Sequence, residues 1–489
     1  MISWESALAL TVGYALVMLL VAWRSKPKNE TASDFLVMDR ELGTTRGALS
    51  IAASWIWAPA VFICAQKSYE QGIAGIFWFT APNILCFFTF IPIALRARKI
   101  LPTGYSMPDY LYHRFDKNKL VHRSSLMVYF GYQLGAIVIN ALAGGTLLHV
   151  LTGLPVILAI GLMTSAALAY SLISGLRASV MTDVVQMCLI LFIAFVLVPW
   201  VLTETGGLST IAQGLGGHTG RFTNAFDPYV AYSFGIASTI GLISGPIADQ
   251  MFFQRAFAAK KEKVASIFAW GGISFGIVPI VLSVLGFVAA GLALEQGFQV
   301  TQPQMVGAEV VAQFLPHWAL MMFVILAFAG LSSTLDSAFA AVSSLWAVDV
   351  YKKYQNENAN DMKTLSVARM AMIVFALLGT SIAMLQPQLV WVFLIYGALA
   401  SAMLVPAFFA LFSSRVTAGG IVVAILSSVL VSVPMSIYAN TTGNVDMVAL
   451  AAILPPIFGL VSCMASSLLS KSRIDFSQLE IELRLIRPE

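Results

Sequence analysis

The chain has 489 residues, of which 58% are hydrophobic and only 11% are charged, and its mean hydropathy is +0.83. Soluble proteins carry about a quarter charged residues, so the composition excludes a soluble globular chain and indicates an all-α protein with many membrane spans. The net charge of +4 does not indicate a nucleic-acid partner, because the Lys and Arg residues lie in short loops between apolar segments.

The apolar segments predict about thirteen transmembrane helices, beginning close to the N-terminus. The first segment has the acidic Glu5 before it and the basic Arg24 and Lys26 after it. This polarity is the reverse of a secretory signal and predicts a retained helix with the N-terminus outside and the C-terminus in the cytoplasm. The predicted spans are 4–23, 45–68, 74–97, 124–150, 154–175, 178–202, 229–254, 264–293, 317–348, 364–386, 388–411, 418–438 and 446–469.

The positions of the basic residues support this topology. With the N-terminus outside, all 28 Lys and Arg residues except Lys67 and Arg221 fall on the cytoplasmic side. Cytoplasmic loops of membrane proteins are enriched in these residues, and a miscounted span would destroy the asymmetry.

Helix-breaking residues interrupt two spans that are five spans apart. The second span contains Ala58–Pro59, and the seventh contains Ser244, Gly245 and Pro246. Ordinary proline kinks are one interpretation. Interruptions at corresponding positions in two halves are, however, the best sequence indication of an inverted-repeat transporter. The predicted regions are a peripheral helix with its loop (1–44), a first five-helix repeat (45–202), an outer loop (203–228), a second repeat (229–412), two peripheral helices (413–470) and a cytoplasmic tail (471–489).

The ninth span carries the sequence GLSSTLDS at residues 330–337. Helical spacing puts Ser333, Asp336 and Ser337 on one face, with Gly330 one turn earlier. Hydroxyls and a carboxylate at mid-membrane depth are costly unless they coordinate an ion or face a protein-lined cavity. Oxygen-only ligands suit a hard cation. The alternative is that the hydroxyls bond back to carbonyls of their own helix.

Several segments together resemble the sodium:solute symporter family, which has a LeuT-type fold of five plus five helices. They are GLRASVMTDVVQ (175–186), FFQRAFAAKKEKVA (252–265) and GLSSTLDS. The segment SWIWAPAVFICAQKSYEQGIAGIFWF (54–79) and the segment DQMFFQ (249–254) resemble the urea/polyamine branch of that family. Relatives that carry proline have an Asp at the position of Trp55, which argues against proline as the substrate.

The resemblance implies a first cation site for sodium. Its ligands would be the carbonyls of Ala53, Ile56 and Gly330 and the hydroxyls of Ser333 and Thr334. Family members with a second sodium use an Asp in the fifth core helix, which corresponds here to Asp183, with hydroxyls near Ser333 and Ser337.

The chain departs from this pattern at Asp336, where a hydroxyl is more usual. Asp183, Asp336 and Ser337 therefore form a second predicted site, which could hold a cation or a proton. The alternative for Asp183 is a carboxylate that pairs with Arg177 or faces water.

The substrate cavity is expected beside the interrupted helices. Aromatic walls with amide and carboxylate groups suit a small neutral polar solute or an amine. Packing or interface anchoring is the alternative for each aromatic residue taken alone. The predicted lining residues are Trp55, Trp57, Phe79, Asn83, Tyr132, Gln133, Asp249 and Gln250.

These observations predict a secondary active transporter in the plasma membrane, which couples uptake of a small polar solute such as urea or a polyamine to Na⁺. Proton coupling is one alternative. A passive solute channel is a second alternative, and the sodium dependence of uptake would distinguish it from a sodium symporter. No span carries a central histidine or another enzyme motif, so neither an enzyme nor an organic cofactor is expected. The expected partners are the solute, the coupling ion and the lipid bilayer, and we expect a monomer.

Overall fold

A computed structural model describes residues 4–486, which are almost entirely helical. Within this range the only β-structure is an isolated bridge between Leu42 and Ala259. The α-helices are α1 (Trp4–Ser25), α2 (Ala32–Val37), α3 (Thr44–Ser54), α4 (Cys64–Ile100), α5 (Met107–Arg114), α6 (Lys119–Thr152), α7 (Val156–Glu204), α8 (Leu208–Gly214), α9 (Pro228–Val230), α10 (Ile236–Ala248), α11 (Gln250–Ala258), α12 (Val264–Gln296), α13 (Val306–Phe314), α14 (His317–Ser344), α15 (Asp361–Ala383), α16 (Leu389–Phe412), α17 (Ala418–Thr442), α18 (Val445–Leu469) and α19 (Phe476–Ile486). The π-helical segments are Pro59–Ile63, Ala231–Gly235 and Leu345–Lys352, and the 3₁₀ turns are Met38–Arg40, Lys261–Lys263 and Pro303–Met305.

Eleven helical segments in the described range are long and apolar enough to cross a membrane. Two of them are far longer than one crossing, since Pro59–Ile100 has 42 residues and Val156–Glu204 has 49. At about 1.5 Å per residue each would span about twice the thickness of a bilayer. The first changes direction at Gly72 and the second at Ser174 and Gly175. Each therefore contains two predicted spans or parts of them, while the exact count of thirteen stays a prediction.

The first interruption lies where the sequence predicts it. Helix α3 ends at Ser54, and the π-helical segment begins at Pro59, which has no N–H to continue a helix. The backbone N–H of Ala58 in the gap donates to Asn140 Oδ1 at 2.8 Å. The side chain from α6 thus satisfies a group that the missing turn leaves free.

The second interruption is displaced from its predicted position. Helix α10 continues through Ser244, Gly245 and Pro246 and ends at Ala248, and the break falls at Asp249 (φ −99°, ψ 116°). A proline inside a membrane helix removes one backbone hydrogen bond without necessarily ending the helix. The chain breaks where Asp249 caps α11, its carboxylate accepting from the N–H of Met251 at 2.7 Å.

The long helices enclose the two interruptions. Helix α14 packs against α6 and α7, α12 packs against α3 and α4, and α10 packs against α4 and α16. The connection 203–228 between α7 and α9 contains α8 and contacts the break at Gly72. There the N–H of Ile73 donates to the carbonyl of Leu215 at 2.9 Å, and the N–H of His218 donates to the carbonyl of Tyr69 at 2.7 Å.

Candidate cation and substrate sites

Oxygen atoms converge where α14 passes the first interruption. The hydroxyl of Thr334 lies 3.2 Å from the carbonyl oxygen of Ser54 and 3.3 Å from those of Ile56 and Gly330. Three carbonyls and one hydroxyl, all buried, form an oxygen-only donor set of the kind that hard cations prefer. The donors of Ile56, Gly330 and Thr334 are thus brought together, with Ser54 as an addition that the sequence did not indicate.

Two predicted ligands of the first site have other partners. The carbonyl of Ala53 accepts from the N–H of Ile56 at 3.0 Å. The hydroxyl of Ser333 donates to Asp183 Oδ1 at 2.5 Å and so belongs to a neighbouring charged cluster. The Ser333 hydroxyl is thus directed to Asp183, and the Ala53 carbonyl stays a predicted ligand because it keeps a second lone pair.

The charged cluster is built on a buried ion pair between Asp183 of α7 and Arg255 of α11. Arg255 Nη2 lies 2.9 Å from Asp183 Oδ2, and both side chains are fully buried. The carboxylate also accepts from the hydroxyl of Ser50 at 2.5 Å. The alternatives predicted for Asp183 are wrong, because Asp183 is not solvated and Arg177 instead pairs with Asp34.

Asp336 of α14 is linked to this ion pair through shared hydroxyls. Its carboxylate accepts from Ser179 at 2.6 Å, from Thr182 at 3.2 Å and from Ser337 at 3.3 Å. Arg255 also contacts two of these three hydroxyls, since its Nη2 lies 2.7 Å from Ser337 Oγ and 3.3 Å from Ser179 Oγ. The three predicted residues Asp183, Asp336 and Ser337 therefore do lie together, around a guanidinium that the prediction did not include.

The charges of the cluster do not balance when both carboxylates are ionised. Two buried aspartates face one buried arginine, which leaves one negative charge. An uncompensated charge in a protein interior is costly. The cluster can therefore accept one monovalent cation or one proton.

A second polar network joins the peripheral helix α1 to α14. The hydroxyl of Tyr14 lies 2.6 Å from Ser332 Oγ, and Gln186 Nε2 donates to Tyr14 at 2.8 Å and to Ser332 at 3.1 Å. Tyr170 donates to the carbonyl of Ser332 at 3.2 Å. All four side chains are buried, so α1 contacts the segment of α14 that carries Ser333 and Thr334.

A small aromatic cavity of about 30 Å³ lies beside the interruptions. Five of the eight predicted substrate residues line it, namely Trp55, Trp57, Phe79, Asn83 and Tyr132. Trp55 donates from Nε1 to Asn83 Oδ1 at 3.0 Å, and the rings of Trp57 and Tyr132 have centroids 5.3 Å apart. The remaining walls come from α10 and α16, including Ser238 and Tyr396.

The other three predicted substrate residues do not line this cavity. Gln133 donates from Nε2 to Asp249 Oδ1 at 2.7 Å, and this pair is fully buried. Gln250 turns away, since its Nε2 donates to the carbonyl of Tyr105 at 2.8 Å. Gln133 follows the cavity residue Tyr132 directly in the chain, whereas Gln250 Nε2 also donates to Ser344 Oγ at 3.3 Å.

Sequence reasoning missed Arg255 and Tyr14. The predicted topology places Arg255 among the cytoplasmic basic residues. A signal was available in its neighbours, since Phe253, Gln254 and Phe257 are uncharged and leave Arg255 as the single charged residue of QMFFQRAFA. Tyr14 lies in a helix outside both repeats and gave no such signal.

The described part of the chain is a helical bundle with two interrupted core helices, and oxygen donors lie together at one interruption. Ion-coupled secondary transporters have this architecture. A solved structure of a Na⁺-coupled sialic acid symporter in a substrate-bound outward-open state has the same fold, with a TM-score of 0.78 at 18% identity. The match covers 95% of this chain and 98% of that one. The chain belongs to the sodium:solute symporter family, whose model matches residues 35–428.

Similar proteins within the family are transporters of small solutes. A Schizosaccharomyces pombe protein named "Probable urea active transporter 1" is 23% identical over 455 residues, covering 87% of this chain and 68% of the relative. A urea–proton symporter of Oryza sativa subsp. japonica is 21% identical, covering 83% of this chain and 61% of the relative. An osmoregulated proline transporter of Bacillus subtilis is 24% identical, covering 76% of each chain. The chain therefore spans less than two thirds of the length of the rice relative.

Proposed function

We propose that this protein is a plasma-membrane symporter with its N-terminus outside. It couples a cation to the uptake of a small neutral solute that is rich in N–H groups, and urea is the leading substrate. One observation carries this proposal. Within residues 4–486, the buried polar atoms without a hydrogen-bond partner include the donor Trp57 Nε1 in the cavity wall. They also include acceptors at the second interruption, outside the cavity lining, namely Gln133 Oε1, Asp249 Oδ2 and Gln250 Oε1.

The chemistry of these atoms favours urea over an amine. Each unpartnered buried polar atom costs about 1–3 kcal/mol, which a ligand with complementary groups recovers. Urea has one carbonyl acceptor for the indole N–H of Trp57. It also has four N–H donors, which would meet Gln133 and Asp249 once the cavity wall at Tyr132 opens toward them. A polyamine has donors for Gln133 and Asp249 but no oxygen for Trp57.

The size of the cavity supports the same choice. A water molecule needs about 10–15 Å³, so 30 Å³ holds about two water molecules. Urea, with four heavy atoms, is larger than two water molecules, but it requires the smallest movement of the walls among the solutes considered. A sugar, a sugar acid or an extended polyamine would require the walls formed by Trp57, Tyr132 and Phe393 to move apart.

The oxygen groups support cation coupling. Sodium fits the carbonyls and the hydroxyl around Thr334, and the excess negative charge around Asp336 supports a second monovalent cation, either Na⁺ or a proton. One charge crossing about 100 mV supplies about 2.3 kcal/mol, and a tenfold ion gradient adds about 1.4 kcal/mol. One cation would thus sustain about a 500-fold solute gradient.

Competition for uptake tests the choice of substrate. Proteoliposomes containing the full chain should take up labelled urea, and excess unlabelled urea should inhibit that uptake more strongly than putrescine, proline or glucose. Gln133→Leu should weaken urea uptake, because it removes both the free acceptor and the amide bound to Asp249. Phe408→Leu, at a half-exposed position outside the cavity, is the matched control. Inhibition by proline or putrescine but not by unlabelled urea would refute the substrate assignment.

A further inference from the structure

A second and much larger cavity, of about 870 Å³, opens at the end of the molecule predicted to face the cytoplasm. Its walls come from α2 and the turn Met38–Arg40, the end of α4, the connection to α5, the turn after α11 and the π-helical segment Leu345–Lys352. The turns that precede α3 and follow α11 belong to the two interrupted helices. The cavity therefore contacts both interrupted helices as well as α5 and the extension of α14.

The lining of this cavity is strongly basic. Three carboxylates, from Asp39, Glu41 and Glu357, face a larger number of cationic side chains. One of the carboxylates is already paired, since Glu41 lies 2.8 Å from Lys260 outside the lining. The Lys and Arg residues of the lining are Arg40, Arg98, Lys117, Lys261, Lys352 and Lys353.

One of these cations is neutralised within the protein. Lys353 Nζ lies 2.5 Å from Asp109 and 2.7 Å from Asp349. Burial alone would lower the pKa of Lys353, but the two carboxylates outweigh it and raise the pKa above its usual value. Lys353 therefore stays charged and fully paired, and its charge is not free to bind a ligand.

Two other lysines of the lining have charges that are available to bind a ligand. Within the described part of the chain, neither Lys117 nor Lys352 has a carboxylate within 4 Å. Lys117 and the preceding Asp116 both adopt left-handed backbone conformations (φ 59° and 51°), and so do the lining residues Arg40 and Asp39 (φ 63° and 48°). Non-glycine residues rarely adopt this conformation, and such residues are concentrated at ligand-binding and switch regions.

We propose that this cavity binds a phosphate-bearing anion from the cytoplasmic side, either free in solution or as a lipid headgroup, and that the bound anion slows transport. The volume lies within the range of small-molecule sites, which is about 300–1,000 Å³. Guanidinium and ammonium groups are the side chains that bind phosphate oxygens. An anion held by Lys117 and Lys352 would link the turn after α5 to the π-helical extension of α14 and so oppose their separation when the cytoplasmic side opens. Arg40 and Arg98 of the same lining add positive charge while their guanidinium groups donate to backbone carbonyls.

Binding is tested on the full chain in nanodiscs, with inorganic pyrophosphate as the probe at constant ionic strength. In phosphatidylcholine nanodiscs pyrophosphate should raise the unfolding temperature of the wild type. The double variant Lys117→Gln/Lys352→Gln should bind it about tenfold more weakly or worse, because two charge-assisted hydrogen bonds are lost. The matched control Lys119→Gln/Lys363→Gln removes two exposed lysines outside the cavity and should behave as the wild type.

Nanodiscs containing phosphatidylglycerol distinguish the two sources of phosphate. If the headgroup is the ligand, these nanodiscs should stabilise the wild type relative to the double variant, and pyrophosphate should add nothing. If the anion is free, the pyrophosphate effect should persist in both nanodiscs. In proteoliposomes, pyrophosphate on the cytoplasmic side should slow uptake by the wild type and the control but not by the double variant. Equal responses of the wild type, control and double variant to both probes would overturn the proposal. The binding result does not depend on transport and stays informative if urea is not the substrate.

Discussion

Replacing Thr334 tests the first cation site directly, because its hydroxyl is the one side-chain oxygen among three backbone carbonyls. Thr334→Val removes this hydroxyl while keeping the branched shape of the side chain. Loss of one oxygen from a desolvated ion costs about 1–3 kcal/mol, which corresponds to an increase of about 5- to 150-fold in the sodium concentration for half-maximal uptake. The fold is expected to persist, since Thr334 makes no side-chain hydrogen bond other than those to Ser54, Ile56 and Gly330 among the described residues.

The assay is the sodium dependence of solute uptake in proteoliposomes. Thr334→Ser keeps the hydroxyl and is the matched control, which should retain a sodium dependence close to that of the wild type. Ser333→Ala should behave differently, because Ser333 donates to Asp183 instead of facing the carbonyls. An unchanged half-saturating sodium concentration in Thr334→Val, measured alongside a folded control, would remove this site from the account.

Three further predictions concern the surrounding network. Asp336→Asn should lower the charge moved per solute molecule, measured as transport current. Asp183→Asn should also lower thermal stability, because it removes the direct ion pair with Arg255 and leaves the guanidinium linked to Asp336 only through the hydroxyls of Ser179 and Ser337; unchanged current and stability in both variants would contradict the charge count. Tyr14→Phe should raise the sodium concentration for half-maximal uptake by a few fold and leave the maximal rate nearly unchanged. The reason is the loss of one hydrogen bond of about 1 kcal/mol to the segment before Ser333. If Tyr14 has a purely structural role, the variant will lower protein yield without changing the sodium dependence. Gly72→Ala should destabilise the protein by about 1–3 kcal/mol, because Gly72 has a φ of +55° and an added Cβ would lie 2.3 Å from the carbonyl oxygen of Leu215. An unchanged unfolding temperature would contradict the close contact between Gly72 and the loop 203–228.

Hydropathy and charge were sufficient to predict the class of fold, because the bilayer imposes strong constraints on length and polarity. The interruption near Pro59 followed from the missing N–H of proline. The second interruption was displaced to Asp249, because the end of α10 depends on a side-chain cap and on a tertiary contact, the donation from Tyr129 to the carbonyl of Ile247 at 2.5 Å. The cap is a local pattern, but the contact from Tyr129 joins residues 118 positions apart and is not visible in local sequence.

The side-chain partners were harder to predict than the helices. Ser333 and Thr334 are adjacent in the chain, yet successive helical residues point about 100° apart, so one reaches Asp183 and the other reaches the carbonyls. Arg255 could not be assigned to Asp183 because the contact joins α7 to α11 across 72 positions in the chain. Contacts of this kind are set by packing of whole helices and not by a local pattern.

The most direct test of the account is concentrative uptake of labelled urea by proteoliposomes with an inward sodium gradient and an inside-negative potential. Internal urea should rise well above the external concentration, and an ionophore that collapses the sodium gradient should release the accumulated urea. Thr334→Val should raise the sodium concentration that uptake requires. If uptake is driven instead by an inward proton gradient without sodium, the proton alternative replaces sodium coupling. Urea that only equilibrates across the membrane, with no response to sodium, protons or voltage, would contradict symport of urea by this protein.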